Sequence, residues 1–488
     1  MRIPFPERVP FDKAAIFAVV LFAVERMEGT PLYFCAGAAL FVLIATLAFN
    51  TAGGLTRASG AYVFFFAVLD VLIGLVYKAL LGEPADSNLS DPQTTIEVYV
   101  AGVTVMFLAA FLSRRFSRKE PLLAGIMKED QMYPAAVGCI VAGIVLAPVI
   151  ALLGQGGLRI QTAFNQLNYL IPLGVILGVL HEIRQSGGKR SVNLITVGAM
   201  IYCFVMYGVI GFSKQGMLVG PVCWAIAAWS QRYRFSRVQV AGASVALLLF
   251  FRYLTPIAQI GRSHPEATGS FREKAGLALQ MLQEPEKVRD EYFAISADAR
   301  GLNSYYNTPQ GFWDRLQFIS VDDALINVTD QGKVFGLLPL EQELLNVIPH
   351  VFWPDKPSFN YGNVYAHEIG NFTEDDTTTG ISFGPMSEAY HMAKWTGVLV
   401  VAPLLWFFLF TLYDSLFGDI RLTPWGLLAT VAISHVAPEG ALTGVVHMIT
   451  YGPVIFGFCA VFAGWVAPLM AVGVVSSGRR QKTVSAAA

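Results

Sequence analysis

Apolar residues run through this chain in long blocks rather than at amphipathic spacing, with polar residues collected in the stretches between. The blocks lie near 14–25, 31–49, 61–81, 96–113, 134–153, 169–183, 194–212, 216–230, 239–258, 395–415, 424–437 and 448–474. A helix needs roughly 20 mostly apolar residues to cross the hydrocarbon of a bilayer, so the pattern predicts about 12 spanning helices. Between the ninth and tenth blocks lies one long, polar, acidic stretch from about Arg262 to Lys394. Within it Phe271–Ala299 has helical composition with interleaved charge. Gly311–Val328 and Leu337–Val347 place apolar residues at the mixed three- and four-residue spacing of amphipathic helices. Asn360–Thr379, rich in Asn, Asp, Thr and Gly, reads as irregular. A polar insert of this length is uncommon without a function. The expected fold is an all-α polytopic membrane protein: spans 1–9 in residues 1–258, a mostly helical outer loop or cap in 259–394, spans 10–12 in 395–475, and a tail in 476–488.

Charge gives the spans a direction. Arg114, Arg115, Arg118 and Lys119 follow the fourth block, Arg184, Lys189 and Arg190 the sixth, Arg232, Arg234 and Arg237 the eighth, and Arg479, Arg480 and Lys482 the last. The alternate connections, such as Gly82–Thr95, are poor in Lys and Arg. By the positive-inside rule both termini are expected in the cytoplasm and the large loop outside. Arg2, Arg8 and Lys13 precede the apolar Ala14–Val24 in the order of a signal peptide; no clear small-residue cleavage site follows, and the segment is read as a retained first span. The net charge of −1, with bases confined to short clusters, gives no reason to expect a nucleic-acid partner. Cys35, Cys139, Cys203, Cys223 and Cys459 all fall in apolar blocks, are read as packing residues, and leave the polar stretch without a disulfide. No CxxC pair or His/Cys cluster suggests a metal.

Ionisable residues in or beside spans are functional candidates because burying charge in lipid is costly. Lys214, in the short turn Gly211-Phe212-Ser213-Lys214-Gln215-Gly216, joins Arg159, Arg252 and Arg262 as a cationic cluster suited to a phosphate or diphosphate, with Arg272 and Arg300 as further candidates in the loop. The ordinary alternatives are snorkelling at a helix end and plain solvation on a loop. Glu388, Tyr390 and His391 stand just before the tenth block, where a carboxylate or imidazole would take a proton from an attacking hydroxyl. The alternative is a helix N-terminus with Ser387 as cap. His435, Glu439 and His447 form a secondary group, whereas His350 and His367 read as structural.

Two strings narrow the choice: Ile348-Pro349 with Trp353-Pro354-Asp355-Lys356-Pro357, and Gly380, Ser382 and Glu388-Ala389-Tyr390 leading into a span. With the span plan, these resemble the Wzy-type polymerases of oligosaccharide repeat units, the O-antigen and exopolysaccharide polymerases, and the related O-antigen ligases. The topology match covers the whole chain and the motif match a small part of it. The resemblance implies a GT-C-like, metal-independent glycosyltransferase in the bacterial inner membrane that needs no cofactor. Its partners would be an undecaprenyl-diphosphate-linked glycan, membrane lipid and a candidate chain-length regulator. It also implies a turn arginine, replaced here by Lys214, which keeps the charge but loses the two-pronged fork. Arg262 matches the place of a second family arginine, and Glu388, with His391 close by, stands where ligases use a loop histidine as base. A ligase and a lipid-linked-glycan transporter are the rival readings.

Overall fold

In a bilayer every backbone polar group must be bonded within the segment, which makes helices of long apolar blocks. The structure is a computed structural model describing residues 4–155, 166–298, 304–308, 313–348, 353, 356–357, 359–371, 375–377 and 379–471. Among these residues the regular structure is helical. The first group is α1 (Phe11–Met27), α2 (Leu32–Ala52), α3 (Ala58–Leu81), α4 (Pro92–Phe116), α5 (Met132–Gln155), α6 (Leu170–Gln185), α7 (Leu194–Val209), α8 (Lys214–Ser230) and α9 (Arg237–Ser263). The polar stretch carries α10 (Phe271–Gln283), α11 (Pro285–Asp298), α12 (Ile319–Asp330), α13 (Leu338–Asn346) and α14 (Tyr361–Glu368). The chain then returns as α15 (Pro385–Phe417), α16 (Pro424–Glu439), α17 (Ala441–Thr450) and α18 (Gly452–Ala471).

Seven stretches are long and apolar enough to cross a membrane: α2, α3, α4, Glu129–Pro148 at the start of α5, α9, α15 and α18. The other expected blocks also form helices, but shorter ones; α1 and α8 have 17 residues each and α16 has 16. The last block differs from expectation. Its helix begins earlier, at Ala441, and is interrupted before Gly452-Pro453, where proline lacks the N–H that would continue the ladder. Within Gly311–Val328 the helix begins only at Ile319, and the stretch expected to be irregular contains α14, whose first turn is capped by Asn360.

Bundle packing joins α2 to α1 and α4, α6 to α5, and α15 to α4 around one large apolar core. α9 stands apart. Arg237–Leu249 contains no buried residue, and the helix is held at its far end, where Ile257 and Ala258 pack with Leu277, Met281 and Tyr292 of α10 and α11. Among the described residues the basic connections gather at one end of the bundle: Arg114 Nη1 donates to the Thr51 carbonyl, Arg184 pairs with Glu129, and Arg232 and Arg421 reach Glu7. The polar stretch sits at the other end, with Asp323 at the start of α4 and α12 packed against α15. All five cysteines are buried and free.

α15 is not one continuous helix. Ala393 (φ −153°) and Lys394 (φ 47°, ψ −136°) break it, separating the buried turns Pro385–Met392 from the remainder. The carbonyls of His391 and Met392, which lose their helical partners at the break, accept instead from Phe335 N (3.0 Å) and Gly336 N (3.1 Å). Backbone held at a positive φ outside glycine costs on the order of 1–3 kcal/mol and persists only where its surroundings enforce it. The fold back also brings residue 397 onto the Ala389 carbonyl, where any Cβ would overlap the oxygen, so only glycine fits. Gly397→Ala is expected to destabilise the protein by about 2–3 kcal/mol, read as a lower unfolding temperature in detergent. Gly457→Ala, at a position with open space around the Cβ, is the control and is expected to leave that temperature unchanged.

Candidate functional site

The eight residues before the break, Pro385–Met392, are all buried. Glu388 and His391, three positions apart, share a helix face. Glu388 lies against the start of α17: its Oε2 accepts from Leu442 N (2.6 Å) and Thr443 N (2.9 Å), and its Oε1 accepts from Tyr365 Oη (3.2 Å). The free N–H groups and dipole of a helix start favour an anion there. Ser387 is not the cap expected from sequence. Its hydroxyl donates to Asp322 Oδ1 (2.6 Å), and the helix opens on Gly384 and Pro385 without a side-chain cap.

Beside Glu388 is a cavity of about 410 Å³, within the roughly 300–1,000 Å³ of small-molecule sites. Gln342, Glu343 and Asn346 of α13 form one wall, Gly380–Phe383 another, and Glu439, Ala441 and Thr443 a third. Phe359 and Tyr361 close it with rings stacked at 5.9 Å and 16°, followed by Tyr365. Burial, then the charges of Glu388 and Glu343, push the Tyr361 phenol up to about 12, and its hydroxyl has no partner among the described residues. The second string singled out in the sequence reaches the cavity, and Lys356 of the first stands behind it. Gly380, Ser382 and Glu388 line the cavity, while Lys356 supports it from behind by donating to the carbonyls of Asn346 (3.2 Å) and Ile348 (2.9 Å) at the end of α13.

The other expected site residues divide. His391 is buried with Nδ1 2.8 Å from Thr329 Oγ1 and Nε2 2.9 Å from Glu368 Oε2, the latter poorly aligned for a hydrogen bond; it touches the Tyr365 ring but does not line the cavity. Tyr390 points away from Glu388 and donates to Asp330 Oδ1 (2.6 Å), so it does not stand beside the carboxylate. Lys214 opens α8 behind the Ser213 cap, and Arg262 Nε donates to the Phe212 carbonyl (2.7 Å), which places both at one turn. Neither residue lines the cavity, and Arg272 is exposed on α10. Arg159, Arg300, His350, Pro354 and Asp355 lie outside the described residues. His367 contacts the Asp376 carbonyl. The secondary group does reach the cavity: Glu439 lines it and pairs with His435, and His447 Nδ1 lies 3.0 Å from the lining residue Glu343.

Sequence reasoning missed Asp322, Glu343, Tyr361 and Tyr365. The available signal was a pair of adjacent acids, Asp322-Asp323, on an otherwise apolar helix face. Asp322 is fully buried; its Oδ1 accepts from Gly384 N (2.8 Å) and Ser387 Oγ, and its Oδ2 from Tyr99 Oη (2.8 Å). A Cβ at residue 384 would overlap Asp322 Oδ2 and stand 2.9 Å from Asp70 Oδ2, so glycine is required between these two acids. Asp70 is also fully buried, and its carboxylate oxygens have no partner among the described residues. Among those residues no group of three His, Cys, Asp or Glu side chains is arranged to hold a metal ion. No family model, curated protein or solved structure matches the chain. Fold and site together describe a polytopic helical protein of the kind built for membranes, with an acidic, aromatic-walled cavity under a polar cap.

Burial pushes the Asp322 carboxyl up to about 6, against the pull of its three donors. The folded state therefore keeps a proton that the unfolded chain, near an ordinary pKa of about 3.9, has already lost. This contribution is fully present below about pH 4 and is lost as the pH rises to about 6, a change of about 2–3 kcal/mol. Asp322→Asn should reduce that slope. Unfolding temperatures of wild type and variant, measured in detergent from pH 4 to pH 7, should diverge across this window and run parallel above it.

Proposed function

We propose that this protein polymerises oligosaccharide repeat units carried on undecaprenyl diphosphate, acting as a multi-pass bacterial inner-membrane glycosyltransferase with about 12 spans, both termini in the cytoplasm and the cap outside. The observation that carries this reading is the Glu388 carboxylate at an aromatic-walled cavity, at the end of the bundle opposite the basic connections. Of the two strings that resemble the polymerases, residues of one line that cavity, and Lys356 of the other bonds the end of α13.

In this mechanism Phe359 and Tyr361 offer a flat apolar face to the C–H side of a sugar ring, while Gln342 and Asn346 offer amides to its hydroxyls. Glu388 takes the proton of the acceptor hydroxyl as that oxygen attacks the anomeric carbon of the donor glycan. The anomeric carbon–oxygen bond to the diphosphate breaks, and undecaprenyl diphosphate leaves with the bonding pair. Lys214 and Arg262, which share a turn outside the cavity, are the cations that the resemblance assigns to the diphosphate. The two N–H donors fix the Glu388 carboxylate in one orientation, as a base needs.

The test is gel analysis of surface and lipid-linked glycans from a deletion strain complemented with wild type, Glu388→Ala or Glu388→Gln. Both variants are expected to insert normally and to lower chain extension at least about 100-fold, leaving single repeats on their final acceptor. A normal ladder from Glu388→Ala overturns the assignment of the base. Polymer stranded on the carrier in the deletion strain would instead mark a ligase, and an unchanged ladder on deletion would move transport to the front. Tyr390→Phe, whose hydroxyl serves Asp330 on the far side of the helix, should retain polymer while lowering stability by about 1 kcal/mol.

A further inference from the structure

The cavity is acidic on three sides. Glu343 comes from α13, Glu388 from α15 and Glu439 from α16, and all three line it. Their side chains are 17%, 0% and 32% exposed. Charges this sheltered are screened far less by salt than surface charges. Among the described lining residues there is no lysine or arginine to offset them. The nearby Lys356 turns its ammonium group to the carbonyls of Asn346 and Ile348. His447 and His435 each face a single carboxylate, Glu343 and Glu439 respectively. The remaining surface is aromatic and amide, and the Tyr361 hydroxyl, without a partner among the described residues, faces it.

Resting on the reading of this cavity as a sugar site, we propose that it selects a terminal acceptor sugar that is neutral or bears an amine and rejects one carrying a carboxylate or phosphate. A uronic acid placed on the aromatic face would bring a further carboxylate among three acidic side chains, and like charges at an interface are opposed by several kcal/mol. A neutral pyranose meets no such opposition, and an ammonium group finds carboxylates on several sides. On this reading the acidic wall is a filter on the repeat unit, separate from the cationic turn at Lys214 and Arg262 assigned to the diphosphate.

The test uses the full-length protein in detergent micelles and three trisaccharides that differ only in the terminal sugar: glucose, glucosamine or glucuronic acid. Binding is followed by saturation-transfer NMR titration. The first two are expected to bind at least about tenfold tighter than the third. In the double variant Glu343→Gln/Glu439→Gln, which leaves Glu388 in place, the gap should shrink to less than about threefold. Equal binding of the glucuronate-ended sugar to wild type overturns the charge filter and leaves the sugar site standing. Binding of none of the three overturns the sugar site together with the filter. The repeat unit accumulating in a deletion strain gives a readout independent of whether the double variant folds. A neutral or amine-bearing non-reducing end supports the filter, and a uronate or phosphorylated end overturns it.

Discussion

Three aspartates on one short helix hold the cap to the bundle. Asp323 of α12 accepts from Ser90 N, Asp91 N and the Thr95 hydroxyl at the start of α4. Asp330 accepts from the hydroxyls of Thr94 and Tyr390 and faces Lys394. Asp322 gathers Gly384, Ser387 and Tyr99. Asp322 and Asp323 are buried and Asp330 is exposed, and burying a carboxylate is costly unless its oxygens are bonded, so the contacts of the two buried acids admit few alternative arrangements. The helix's other side packs Leu325 and Val328 against Tyr365 and Phe383, and this places the floor of the cavity in the same step. The aspartate row works together with the Phe335 and Gly336 bonds to α15 in keeping its first turns beneath the cap.

The break in α15 follows from that anchoring. A continuous helix through Lys394 would carry Glu388 outward along the axis of the span. Holding its first turns against α12 instead folds them back, and the freed carbonyls of His391 and Met392 are taken up by the turn that follows α12. The strain at Lys394 is thus offset by hydrogen bonds from the same element that imposes it, with Asp330 3.5 Å from the lysine ammonium. The result presents a carboxylate side-on to the start of α17, where two backbone donors orient it.

Charge is separated in this architecture. Carboxylates collect at the cavity, while Lys214 and Arg262 meet at a turn beside the second apolar cluster, where α9 meets α10 and α11. Under the proposed reading the carboxylates serve the proton and the cations the diphosphate.

Much of the architecture was legible locally. Long apolar blocks forecast helices over every expected span, because in lipid a helix is the way a single segment satisfies its own backbone. The mixed spacing of Leu337–Val347 forecast α13, and Glu388 stood out as an acid at the edge of a span. What could not be read was partnership. Glu388 is held by residues 54 and 55 positions further on, Asp322 by residues 62 and 65 positions away, and Tyr390 was placed beside Glu388 by adjacency although the helix turns it toward Asp330. α14 was missed because its polar composition carries no periodic signal, and Asn360 and the packing of Tyr365 hold it. The sequence by itself determined the helices, the gathering of bases in alternate connections and the short list of candidate acids, since these depend on neighbours along the chain. Only the tertiary structure decided which acid faces a cavity, which ones anchor the cap and where the span breaks, because buried carboxylates are placed by whichever donors the folded chain brings to them.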